Sequence, residues 1–344
     1  MPARAMDVME RNPVAEFDEV DLQRFRDEIR PSGQPAVLRG HAADWPAVCA
    51  ARQSDEALVD YLMRFAVDDR VQALVGEPEI EGRFFYSPDL RGFNFKRGLS
   101  RLEPFLQRLL RDRAESRPLA MAVQSEPIPD LLPGFESDNR SALVAPEVVP
   151  RAWIGNRIRV APHFDLKENI GIVVAGRRRF TLFPPEQLPN LYPGPFELTP
   201  AGTRVSMVDC ENPDLDLYPK FAEAMKSARV VELSPGDAIY IPFHWWHGVD
   251  SLEPFNLFVN YWWNEAPSNI GSPYDALMYG FFGLKHLPPE QRAVWREVFD
   301  HYVFCTNGDP AEHLPEHARG VLGKPTPQLL GWMRATLKRI LEHL

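Results

Sequence analysis

The pattern of apolar positions along this chain mixes helices and strands first, turns to strands from Ala152, and ends in helices. Between Asp18 and Ile29, the residues Val20, Leu22, Phe25 and Ile29 recur at helical spacing and predict a short amphipathic helix. Pro31-Ser32-Gly33-Gln34-Pro35 breaks it, and Ala36 to Gly40 then reads as a short strand. Ser54 is a capping residue for a helix predicted over Asp55 to Phe65. Val71 to Val75 reads as a strand. Leu99 to Leu110 reads as a helix carrying Leu102, Phe105, Leu106, Leu109 and Leu110 on one side, and Pro118 to Gln124 as a buried strand. From Ala152 the texture changes to β. Trp153 to Asp165, Asn169 to Ala175, Arg178 to Phe183, Ala228 to Leu233, Ala238 to Pro242, His247 to Ser251 and Asn256 to Trp263 are strand expectations. Many short strands punctuated by turns argue for a barrel or jelly roll. The stretch 186–228 is long, proline-rich and partly acidic, and ordered loops of that size are usually functional.

After Pro267 the helical period returns. Pro288-Pro289 opens a segment with Trp295, Val298, Phe299 and Tyr302 on one face. Thr326-Pro327 opens another that aligns Leu330, Met333, Leu337, Ile340, Leu341 and Leu344, a capping residue followed by proline being a good start signal. The expected architecture is mainly β, with residues 1–265 as a barrel domain with flanking N-terminal helices and residues 266–344 as a helical region. The last apolar stripe is too rich for a solvated tail, which makes a two-fold homodimer the expectation, with packing on the chain's own barrel as the alternative.

Composition narrows the function. Among 344 residues, 44% are hydrophobic and 25% charged, ordinary for a globular chain. Forty-eight acidic residues against 38 basic give a net charge of −10, which makes nucleic acid an unlikely partner. The three cysteines, Cys49, Cys210 and Cys305, form no CxxC pair, so neither a zinc site nor a disulfide framework is indicated. A reducing, cytoplasmic location is the expectation. Met1 to Pro13 lacks the apolar segment of a secretory signal, and no apolar run is long enough to span a membrane.

The chemistry gathers in two stretches. Pro162-His163-Phe164-Asp165 puts a histidine and an aspartate at i and i+2, one face of a strand. Gly236, five residues, Pro242, then His247 five positions later supplies a second histidine. Two imidazoles and one carboxylate form the ligand set of a non-heme Fe(II) oxygenase, which leaves positions open for cosubstrate and oxygen. His244 reads as an exposed residue or one behind the ligands. His41, His286, His301, His313, His317 and His343 lie outside ligand spacing and read as surface residues. Within Arg177-Arg178-Arg179, alternation puts Arg178 on the face of Phe180 and Leu182. The more apolar face is expected to be the interior, where a guanidinium can hold a carboxylate bidentately; a solvated basic strand edge is the alternative.

These stretches, with Gly176 to Pro185, Leu191-Tyr192-Pro193, Pro235 through His247 and Val259-Asn260-Tyr261-Trp262, resemble the cupin-like, JmjC-related Fe(II)/2-oxoglutarate-dependent oxygenases, the asparaginyl hydroxylase of hypoxia-inducible factor among them. The resemblance covers roughly residues 30–265. It implies a double-stranded β-helix, a cupin or jelly-roll barrel, with His163, Asp165 and His247 as iron ligands. It also implies that Asn169 and Asn260 lie in the 2-oxoglutarate pocket. Arg178 stands where the family usually has lysine, Val160 where it has threonine, and Met121 where a tyrosine often sits. The implied activity is hydroxylation of an unactivated C–H bond, on a peptide or a small molecule. A cupin that binds a sugar or peptide without turnover, and a cupin enzyme that needs no 2-oxoglutarate, are the alternatives.

Overall fold

The computed structural model of the chain describes residues 12–68, 70–267 and 270–342. Residues 1–11, together with His343, expected at the surface, and Leu344, expected at the end of the last apolar stripe, lie outside the described residues. The chain divides into two compact units, one ending at Asn264 and the other beginning at Glu265.

The first unit is built on strands β1 (Ala15–Asp18), β2 (Ala36–Arg39), β3 (Arg70–Gly76), β4 (Phe95–Arg101), β5 (Ala120–Pro127), β6 (Pro150–Gly155), β7 (Arg159–Phe164), β8 (Glu168–Ala175), β9 (Arg178–Phe183), β10 (Arg229–Leu233), β11 (Ala238–Ile241), β12 (Trp246–Ser251) and β13 (Asn256–Trp263). One sheet has the order β1-β2-β11-β8-β13-β6-β5-β3-β4 and the other β10-β9-β12-β7. Every pairing is antiparallel except that of β1 with β2. A buried cluster draws Val37, Val173, Ile239, Ile241 and Phe258 from the larger sheet and Phe180, Leu182, Val231, Leu233 and Val249 from the smaller. The two sheets therefore bury their inner faces against each other, as the alternation required of a β barrel. A second cluster joins the larger sheet to helices Pro46–Gln53, Asp55–Met63 and Leu102–Asp112.

Several boundaries differ from the sequence expectation. The strand expected over Trp153 to Asp165 is two strands, β6 and β7, in different sheets. Asn156 ends the first of them. Its side chain accepts from Met121 N–H and donates to the Leu119 carbonyl, so it ties the turn to β5. The helix expected from Leu99 begins at Leu102, because Phe95 to Arg101 pairs in register with all of β3. The helix expected over Asp18 to Ile29 starts at Leu22, where the Asp21 carboxylate accepts from Arg24 N–H at 2.7 Å. It then widens to a π turn through Ile29. Phe25 and Ile29 are nonetheless buried, as their spacing required. The helix Pro46–Gln53 has no counterpart in the expectation.

The second unit holds helices Pro273–Gly283, Pro289–Tyr302 and Pro327–Glu342. None of the three contains a buried residue. No helix among the described residues is long and apolar enough to cross a membrane.

Candidate metal centre

Strand pairing brings the first two site residues together. His163, near the end of β7, lies directly opposite His247, near the start of β12. Their ring centroids are 4.3 Å apart. Asp165 follows the end of β7, and its Oδ2 is 3.5 Å from His247 Nε2. One ligating atom from each of His163, Asp165 and His247 lies within 4.8 Å of the others, the spacing a single ion requires. The Nδ1 of His163 faces the Ala161 carbonyl at 3.0 Å, and the Nδ1 of His247 faces the Trp245 carbonyl at 3.0 Å. A carbonyl only accepts, so each Nδ1 carries the proton and each Nε2 keeps its lone pair for a metal. Burial, and then repulsion from His247 beside it, pushes the pKa of His163 down to about 4. That holds the imidazole in its ligating, neutral form at physiological pH.

The three side chains open into a cavity of about 350 Å³ whose wall includes Arg178, Phe180, Asn169, Asn260, Trp153 and Trp262. Arg178 opens β9 on the cavity side. Only 8% of it is exposed, and its guanidinium lies 4.5 Å from the centroid of the Phe258 ring. Its Nε has no hydrogen-bond partner among the described residues. Burial alone pushes its pKa down to about 9. Arginine does not give up its proton in proteins, so Arg178 is a buried positive charge that is costly to leave without a partner. Its neighbours turn to the other face and are paired there: Arg177 Nε to Glu253 at 2.8 Å, and Arg179 Nε to Glu232 at 3.1 Å.

Asn169 and Asn260 belong to a directed chain of hydrogen bonds. Trp153 Nε1 donates to Asn260 Oδ1 at 2.7 Å, Asn260 Nδ2 to Asn169 Oδ1 at 3.1 Å, and Asn169 Nδ2 to Asp165 Oδ2 at 3.1 Å. Trp262 Nε1 donates to the same Oδ2 at 2.9 Å. The sequence reading gave neither tryptophan a role. Trp262 was within reach of it, standing two residues beyond Asn260 and so on the same face of β13. Trp153 was not, because its neighbour Asn260 comes from a distant strand.

Other residues fall where the sequence did not place them. Met121 is in the core cluster, and on β5 the cavity is lined by Gln124 and Ser125. His41, expected at the surface, is partly buried with its Nε2 2.9 Å from Ser141 Oγ. His301 is also only partly exposed. His244 stays out of the ligand group. It adopts φ 66° and stacks on Phe164 at 4.1 Å, while its backbone N–H donates to the Asp165 carbonyl at 3.1 Å. Part of the long 186–228 connection folds back on the site. Val205 bridges to His163, Thr203 Oγ1 donates to the Phe164 carbonyl at 2.6 Å, and Pro200, Ala201 and Val205 complete the cavity wall.

A model of the cupin-like domain matches residues 22–269. Among curated proteins, the chain is 40% identical over 114 residues to HSPB1-associated protein 1 of Rattus norvegicus, which covers 32% of this chain and 23% of that protein. It is 28% identical over 262 residues to lysine-specific demethylase 8 of Danio rerio, covering 74% and 59% respectively. It is 26% identical over 291 residues to tRNA wybutosine-synthesizing protein 5 of Danio rerio, covering 76% and 78%. The chain thus spans less than a quarter of the length of the first of these relatives.

Proposed function

The chain belongs to the cupin-like domain family, and from that premise we propose that it is an Fe(II)- and 2-oxoglutarate-dependent oxygenase that hydroxylates a protein side chain. The observation that carries this reading is the presence, in one cavity, of the His163–Asp165–His247 group and a buried arginine, Arg178, whose Nε has no hydrogen-bond partner among the described residues. The donor set fits iron: two neutral imidazoles and one carboxylate suit Fe(II) and leave sites open for cosubstrate and oxygen. Iron held there, with 2-oxoglutarate and oxygen, would supply the oxidising power needed to break an unactivated C–H bond.

The chain's own residues do the rest. The Ala161 and Trp245 carbonyls fix the two imidazole tautomers. Arg178 anchors the far carboxylate of 2-oxoglutarate with its planar fork, and the pair neutralises a charge that is costly to bury alone. Asn169 and Asn260 each spend one N–H within the hydrogen-bond chain and keep another for the near carboxylate of the cosubstrate. Phe180, Val205 and Trp153 give the cavity wall apolar surface that would limit water beside the metal. The net charge of −10 favours a peptide over a polyanion as the substrate. Unpaired Cys49, Cys210 and Cys305 fit a reducing, cytoplasmic setting. We also place a homodimer contact on the unit from Glu265 to Leu344.

The test is an anaerobic titration with Fe(II) and then 2-oxoglutarate. A metal-to-ligand charge-transfer band that appears only when both are present is the expected result. Fe(II) binding without that band would remove 2-oxoglutarate from the proposal.

A further inference from the structure

A carboxylate that ligates a metal must itself be held in orientation by neighbouring donors. Every hydrogen bond that the described residues make to the Asp165 carboxylate falls on Oδ2, and there are two: Trp262 Nε1 at 2.9 Å and Asn169 Nδ2 at 3.1 Å. They come from different strands, β13 and β8, which pair with each other so that Trp262 lies directly opposite Asn169. A carboxylate beyond the end of its strand has a soft terminal torsion. Two donors fixed on paired strands remove that freedom. Asn169 cannot turn away either, since its Oδ1 is occupied by Asn260 Nδ2, whose own Oδ1 is occupied by Trp153 Nε1.

We infer that Trp262 is a positioning residue of the metal centre: its indole N–H, with the amide of Asn169, sets the orientation of the Asp165 carboxylate and so the affinity of the site for a divalent ion. This rests on the metal reading above. Trp153 provides an internal comparison. It is a second indole on the same cavity wall, packed edge-on to Trp262 at 5.7 Å, but its N–H ends two hydrogen bonds away from Asp165. If cavity packing were all that mattered, the two indoles would be equivalent.

The probe is Co(II) alone, titrated by calorimetry into the full chain, with the visible d–d spectrum recorded in parallel. Trp262→Phe keeps an aromatic ring and removes the donor, and is expected to weaken Co(II) binding about tenfold, the lower end of what losing a partner of a ligand costs. Its d–d spectrum should change as well, because the carboxylate then keeps only one of its two donors. Trp153→Phe should stay within about threefold of wild type, with an unchanged spectrum. Equal effects from the two substitutions, or no effect from Trp262→Phe, would overturn the inference. Wild-type Co(II) binding that His163→Ala abolishes separates the two readings. If that binding is present and Trp262→Phe matches it, the positioning role falls and the metal centre stands. If the wild type takes up no Co(II), both fall.

Discussion

At the scale of single residues, the strongest constraints are charges whose burial outruns their pairing. Arg178 is the first. Arg178→Ala is expected to weaken 2-oxoglutarate binding by at least tenfold while Co(II) affinity holds, which calorimetry with each ligand would separate. Arg178→Lys should recover only part, since a point charge on a flexible stem does not reproduce a bidentate fork. Arg177→Ala should leave 2-oxoglutarate binding unchanged, because that side chain is engaged with Glu253 on the opposite face. Equal losses from Arg177→Ala and Arg178→Ala would refute the assignment. Asp250 is the second, three residues past His247 on the outer side of β12. Burial first, and then the Glu211 carboxylate, pushes its pKa up to about 6, while Arg159 and Arg179 pull it down and Asp209 adds to the rise. A carboxyl whose folded pKa lies above its unfolded one binds its proton more readily when folded. Its contribution to stability is therefore fully present only below the ordinary value of 3.8 and is lost as the pH rises through about 6. Asp250→Asn should stabilise the protein by on the order of 2 kcal/mol at pH 7.5 and by very little near pH 4. Denaturant melts at the two values measure this, and a gain that is the same at both would contradict it. Arg178 was legible from alternation along one strand. Asp250 was not, because its environment is assembled from the acidic part of a distant connection.

At the scale of elements, the sequence was most legible where one period ran uninterrupted. The strands from Asn169 to Phe183 and from Arg229 to Trp263 keep close to their expected bounds, since nearly every position in them is buried on one face or the other. It was least legible where an apolar run crossed a backbone event. Leu99 matches the helical spacing of the leucines after it, yet it is 66% exposed on an edge strand, and the register with β3 decides its conformation. The continuous apolar pattern from Trp153 to Asp165 hides the turn at Asn156, which only a tertiary contact to β5 enforces. Gly171 on β8 is a similar case with a functional consequence. An added Cβ there would come within 2.0 Å of the Phe258 ring, the ring that supports the Arg178 guanidinium. Because the obstacle is a packed aromatic ring, Gly171→Ala should cost about 1–3 kcal/mol by overpacking. It should also weaken 2-oxoglutarate more than Co(II), because the displaced ring moves the arginine and not the metal ligands. A destabilised variant that keeps wild-type affinity for both ligands would show that the ring can yield without moving Arg178.

At the scale of the whole molecule, the two units obey different stability arguments. The first carries almost all of the core, and its barrel was legible because many short amphipathic strands have few ways to hide their apolar faces. The second has three helices of 11, 14 and 16 residues and no buried residue in any of them. Phe282, Phe304 and Trp332 are among the large side chains it leaves exposed. An isolated helix of such length is marginal in water, and its stability in proteins comes from packing an apolar face. Each large apolar side chain left in water forgoes about 1.5–3 kcal/mol. The stripe through Leu337, Ile340 and Leu341 is therefore an unused source of stability, and a two-fold partner uses it twice, because one patch meets its own copy. The expected result is a dimer by sedimentation at micromolar concentration. Leu337→Glu with Leu341→Glu should shift it to monomer and lower the melting temperature in a concentration-dependent way, since association stabilises by mass action. Co(II) binding should survive in that monomer, because every residue of the site lies before Asn264. A wild-type chain that sediments as a monomer at all accessible concentrations would exclude the dimer and leave the exposed helices to some other partner.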